Sequence, residues 1–256
     1  MKSWLKALDR ILRGEATTVE SLKSGLAEVP LAGMTALIIL LGAIYGMGMG
    51  TFALFKEGGP SVAQFVASAV KIPALFLLTV VITFPSLYVF NALVGSRLTL
   101  ASVLRLLVAG LAVTLAVLAS FGPIVAFFSV STTSYPFMVL LNVAMCAVGG
   151  MLGLSFLRQT LHRFTVVAGP LPTTPPLLPQ APAKPGALDP VGGKVLRPDV
   201  QSVFRWWMVL FALVGSQMGW VLRPFIGQPG MPFTFFRTRE SNFFAAVWEN
   251  LLALFQ

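Results

Sequence analysis

Residues 31–55 form a run of 25 without a single charge, and that run decides which solvent the chain is built for. At about 1.5 Å of helix rise per residue it reaches roughly 37 Å, more than the hydrocarbon layer of about 30 Å that a membrane helix must cross. Further apolar runs follow at residues 73–94, 100–130, 135–157 and 203–222, the third span holding Arg105 one turn inside and the fifth Arg205 at its start. Hydrophobic residues make up 56% of the chain and charged residues 11%, too little polar surface for a soluble fold of this length. The chain therefore reads as all-α, a polytopic transmembrane helical bundle of about five spans with amphipathic N- and C-terminal helices.

The organisation follows from where these runs break. In residues 1–29, Trp4, Leu5, Leu8, Ile11 and Leu12 fall at helical spacing, with Lys2, Lys6, Arg10 and Arg13 mostly on the other side. That is the pattern of a basic amphipathic helix in the membrane interface, or of one packed on another subunit; it is not a cleavable leader. Residues 30–165 make a four-span membrane domain. In its first span Gly42, Gly46 and Gly50 repeat every four residues, a flat groove for a close helix neighbour. Gly58-Gly59-Pro60 breaks the chain, and residues 61–72 read as a small interfacial helix before a second span starting at Pro73 and kinked at Pro85. Gly122-Pro123 interrupts the third span, which is either one kinked helix or a helix followed by a re-entrant piece. The fourth holds Asn142 and a Gly149/Gly153 pair. Residues 166–202 are a proline-rich linker: nine of the eighteen prolines and no aromatic residue fall within 168–200. Residues 203–225 form the fifth span, with Gly215, Gln217 and Gly219 inside it and Arg223 at its end. Residues 226–256 are a loop followed by an amphipathic helix capped by Ser241.

Lysine and arginine are enriched in cytoplasmic loops. With the N-terminus inside, thirteen of the eighteen basic residues fall on the inner side and five, Lys56, Lys71, Arg223, Arg237 and Arg239, on the outer. The expected location is a bacterial inner (plasma) membrane with the N-terminus cytoplasmic. The formal charge of +9 then points to a bilayer with anionic head groups, not to nucleic acid, whose binding motifs are missing.

Chemistry is sparse. No GxSxG, HExxH or phosphate-binding loop occurs, and none of the nine acidic residues lies in the first four spans. Cys146 is the only cysteine and His162 the only histidine, so no metal, no cofactor and no enzymatic activity are expected. What remains is polar and uncharged at depth. Asn91, Asn142 and Gln217, with Arg223, read either as glue between helices or as the lining of a polar path.

The run Tyr88-Val89-Phe90-Asn91-Ala92-Leu93-Val94-Gly95, followed by Arg97 and Leu104-Arg105-Leu106, resembles the Yip1-like membrane domain. The resemblance covers about residues 30–222 and implies five spans, a cytoplasmic N-terminus and short connections between the middle helices. The tail Arg223-Pro224-Phe225-Ile226-Gly227, with Phe233 to Phe244, is similar to uncharacterised bacterial polytopic proteins. Two functions are expected from these readings: a non-enzymatic scaffold or accessory protein that associates with other membrane protein subunits or itself through its glycine faces, or an oligomeric ion channel or permeation subunit. Lipid handling is a third.

Overall fold

Inside a bilayer every backbone N–H and C=O must find a partner within the protein, and an apolar chain without a second strand meets that demand as α-helix. The computed structural model describes residues 2–15, 30–55, 61–93, 100–167, 198–223, 232–236 and 241–255. Its helices are α1 (Lys2–Leu12), α2 (Leu31–Gly50) with the one-turn continuation α3 (Phe52–Phe55), α4 (Val62–Leu93), α5 (Leu100–Ser131), α6 (Tyr135–Val167), α7 (Pro198–Leu222) and α8 (Phe243–Leu254). No strand occurs among the described residues.

Four stretches, Leu31–Phe55, Val62–Val89, Leu100–Ser131 and Tyr135–Thr160, are long and apolar enough to cross a membrane. α7 has 25 residues, about 37 Å of helix, but Arg205, Ser216 and Gln217 make it less apolar. Four helices thus meet both criteria where the sequence predicts about five. α2 sits at the centre between α4 and α5; α6 packs on α5 and α7 on α4, while α6 and α7 touch only lightly. The order α7–α4–α2–α5–α6 is an arc whose two ends nearly meet.

Several expectations change. Residues 62–72 are the first turns of α4, not a separate interfacial helix: Pro73 lies inside the helix, as does Pro85. A proline in a helix removes one hydrogen bond and crowds the preceding turn, and here a neighbouring helix packs close to each proline. Gly42 leaves the room that the Pro73 ring fills, a Cβ there lying 3.0 Å from Pro73 Cβ. Near Pro85 the Thr83 carbonyl accepts the Trp207 indole N–H at 3.1 Å. α5 runs unbroken through Gly122-Pro123, which removes the re-entrant alternative; Gly48 and Gly122 abut there, a Cβ on Gly48 meeting the Gly122 carbonyl oxygen at 2.7 Å.

The N-terminal helix packs on its own chain. Leu8 and Ile11 are buried, Trp4 covers Gly33, and the neighbours are α2 and α5. At the other end α8 is capped by Asn242, not Ser241: the Asn242 side chain accepts the Ala245 N–H at 3.0 Å, whereas the Ser241 carbonyl accepts the Trp220 indole N–H at 2.5 Å. α6 extends to Val167 and α7 begins at Pro198, so the linker is shorter than predicted. Its residues 168–197, the Gly58-Gly59-Pro60 turn, Arg97, residues 16–29 and most of the loop at 224–240 lie outside the described residues.

Candidate functional site

The buried stripe of α4 is polar in an otherwise apolar helix: Gln64, Ser68, Lys71, Thr79 and Thr83 are all buried. Three of the hydroxyls are satisfied on their own helix, Ser68 donating to the Gln64 carbonyl at 3.0 Å, Thr79 to Leu75 at 2.8 Å and Thr83 to Thr79 at 2.7 Å. Hydroxyls spent on the preceding turn present little polarity outward. The lower part of the stripe, around Thr79, can therefore line an apolar space without needing water.

Such a space exists. A cavity of about 390 Å³ lies between α4, α5, α6 and α7, walled by side chains such as Leu75, Phe76, Leu111, Leu154 and Phe211 and by Gly110, Gly150, Gly153, Gly215 and Gly219. Its α7 wall runs from Trp207 to Gly219, about 18 Å at helical rise, close to the ~15 Å depth of one bilayer leaflet. It falls where the ends of the arc touch lightly. Met151 on its wall is 60% exposed, so the cavity opens sideways toward lipid. A Cβ on Gly150 would meet nothing within 4 Å.

At one end the cavity borders a second compartment of about 380 Å³; Val143, Gly219 and Phe243 line both. Here the walls are polar. Lys71, 3% exposed, donates to the Phe235 carbonyl, and its ammonium sits 4.6 Å from the centre of the Phe235 ring. Residues 232–236 are thereby held over the first turns of α4, and both carbonyl and ring face stabilise the cation. Arg223 lines the opposite side, its guanidinium carbon 3.9 Å from the Trp220 ring centre. Its backbone has φ of 39°, a left-handed conformation that a side chain other than glycine adopts at a cost. Its Nε is buried and has no hydrogen-bond partner among the described residues. Glu249 and Asn250 of α8 complete the wall.

The predicted site residues do not converge. Asn142 is fully buried in the α2–α6 contact, accepting from the Tyr45 hydroxyl at 3.2 Å and donating to the Met138 carbonyl at 2.8 Å. Gln217 is half-buried on α7, and the Asn91 side chain lies outside the described residues. Of these four polar residues, and among the described side chains, only Arg223 lines a compartment, which Lys71 also lines. The glycines split into two kinds. At Gly42, Gly46 and Gly50 a Cβ would stand 2.5–3.0 Å from Pro73, Ser68 and Phe65 of α4, and at Gly149 and Gly153 it would strike Leu118 and Thr114 of α5. At Gly215 and Gly219 the nearest atoms are 3.5 and 3.7 Å away, an ordinary contact.

Lys71 and the cavity were not singled out from sequence. The available signal was the spacing of Gln64, Ser68 and Lys71 at i, i+4 and i+7, one polar stripe on one helix face. It is hidden if Pro73 is taken to start a new element.

Four apolar helices of spanning length make this a polytopic helical membrane protein; three of them, α4, α5 and α6, wall the cavity together with α7. No family model matches the chain, and neither a curated protein nor a solved structure matches it.

Proposed function

We propose that this is a non-enzymatic accessory protein of a bacterial inner membrane that holds a lipid within its bundle, with the N-terminus cytoplasmic and the polar compartment on the outer side. The observation that carries the reading is the 390 Å³ apolar cavity between α4, α5, α6 and α7. An apolar cleft that no side chain fills forfeits dispersion contacts along its walls unless another apolar group occupies it. In a bilayer the side opening offers acyl chains as the filling. The volume and the mainly apolar walls suit a small-molecule site.

The other two functions draw less support. The tight glycine faces expected to recruit partners are occupied by helices of the same chain. The amides expected to line a polar path lie apart, Asn142 being paired with Tyr45. The Yip1-like resemblance remains part of the proposal as a statement of layout.

The test is lipid retention after purification in detergent, read by native mass spectrometry and lipid extraction. About one lipid per chain should survive washing. Gly150→Trp should release it with little change in thermal stability, because Gly150 lines the cavity and a Cβ there meets nothing within 4 Å. A wild-type protein that retains no lipid, or a Gly150→Trp variant that retains as much as wild type, overturns the reading.

A further inference from the structure

We propose that the polar compartment at the mouth of the cavity is a headgroup site for an anionic phospholipid, gripped by Arg223 and Lys71 while its acyl chain fills the cavity beneath. This rests on the lipid-binding reading above. The two compartments share walls at Val143, Gly219 and Phe243, so one molecule can occupy both, charged at one end and apolar at the other. The polar end lies where α7 ends and α6 begins, the level of a headgroup when the helices cross a bilayer, and the apolar part extends about one leaflet below it.

Charge selects the headgroup. The described lining carries Lys71, Arg223 and the carboxylate of Glu249, and a phosphodiester would give the Arg223 guanidinium an anionic partner. Arg223 is built as a receptor. Its guanidinium is stacked on Trp220, its Nε is buried with no partner among the described residues, and its backbone is held at φ 39°. A buried donor without a partner calls for an explanation, strained backbone collects at ligand clamps, and a guanidinium fork fits phosphate oxygens. A free phosphate would use only the upper compartment and leave the cavity unfilled; the lipid uses both.

The experiment is competition between two lipids with identical acyl chains, phosphatidylglycerol and phosphatidylcholine, for the purified full chain, read by native mass spectrometry. A third arm adds glycerol phosphate as the headgroup alone. Wild type should prefer the anionic lipid by about tenfold, the scale of a charge-assisted hydrogen bond. Arg223→Gln should bring the two lipids to near parity while a lipid is still retained, and glycerol phosphate should fail to displace it. Equal binding of both lipids by wild type overturns the headgroup site and leaves the lipid-binding reading standing; retention of neither removes both. Displacement by glycerol phosphate marks a free-anion site and overturns the proposal. Should Arg223→Gln not fold, Arg223→Lys replaces it, keeping the charge without the fork, and a preference undiminished from wild type then counts against the guanidinium.

Discussion

Substituting Gly46 by alanine adds one methyl group where the structure has no room for it. The Cβ would stand 2.5 Å from the Ser68 carbonyl oxygen, 2.8 Å from Ala69 Cα and 2.9 Å from the Ser68 carbonyl carbon. All three are backbone atoms of α4, so no rotamer change relieves the contact, and α2 and α4 must part by about 1 Å. A gap of that size forfeits a quarter to a half of each van der Waals contact across it. The loss extends along the groove to Gly42 and Gly50, where α4 lies so close that a Cβ would stand 3.0 Å from Pro73 and Phe65. Overpacking a core costs about 1–3 kcal/mol; three backbone collisions place Gly46→Ala near the top, at about 3 kcal/mol. The control is Gly219→Ala, where the Cβ meets only Leu75 Cδ1 at 3.7 Å and the change should be neutral or slightly stabilising. Unfolding in mixed micelles with increasing SDS measures both variants, with size-exclusion light scattering alongside. A Gly46→Ala protein within about 0.5 kcal/mol of wild type, in the range of harmless surface changes, would refute the packing argument. So would a changed oligomeric state with unchanged stability, because the groove would then serve another chain.

Two further substitutions test the local chemistry. Tyr45→Phe should cost about 1 kcal/mol in the same unfolding assay, the usual worth of a hydrogen bond between membrane helices; Asn142→Ala, which also loses the bond to the Met138 carbonyl, should cost somewhat more, and the double variant little more than Asn142→Ala alone, since both remove the Tyr45–Asn142 bond. Asn242→Ala should destabilise the start of α8 by about 1 kcal/mol, seen as faster hydrogen exchange confined to residues 243–247, and unchanged exchange there would show that the cap bond to Ala245 contributes nothing.

What could be read in the chain was what depends on local pattern. The uncharged runs specify helices and their lengths, because length and apolarity are all a bilayer demands of a span. The amphipathic ends were legible for the same reason, through the spacing of Leu8 and Ile11 and of the residues around Ala246. Proline was misleading: Pro73 and Gly122-Pro123 signal breaks in water, yet in a packed bundle a glycine on the neighbouring helix, Gly42 at Pro73 and Gly48 at Gly122, leaves room for the helix to run through. The site was legible only as isolated letters. Lys71 and Arg223 are far apart in sequence and meet only because α4 and α7 pack side by side and α8 closes over them. Likewise nothing local pairs Asn142 with Tyr45, 97 residues away.

The glycines show how one residue type builds both the bundle and the space inside it. On α2 every missing side chain is used at once: the backbone of α4 enters the gap, and Gly42, Gly46 and Gly50 convert emptiness into contact. On the cavity side of α6 and α7 the fit is looser: a Cβ on Gly150 would meet nothing within 4 Å, and on Gly215 and Gly219 it would make only ordinary contacts with α4. Helices pressed together by dispersion alone would close such a gap, since packing is the main attraction between them in lipid. The gap persists because α7 is held elsewhere, by the Trp207 indole on the Thr83 carbonyl at one end and by the Trp220 indole on the Ser241 carbonyl at the other. Two indole hydrogen bonds, one at each end of the α7 wall, work as spacers that keep a leaflet-deep slot open between them. Shortening Trp207 to phenylalanine should therefore let α7 settle inward and shrink the cavity, so that lipid retention falls although no residue touching the headgroup has changed.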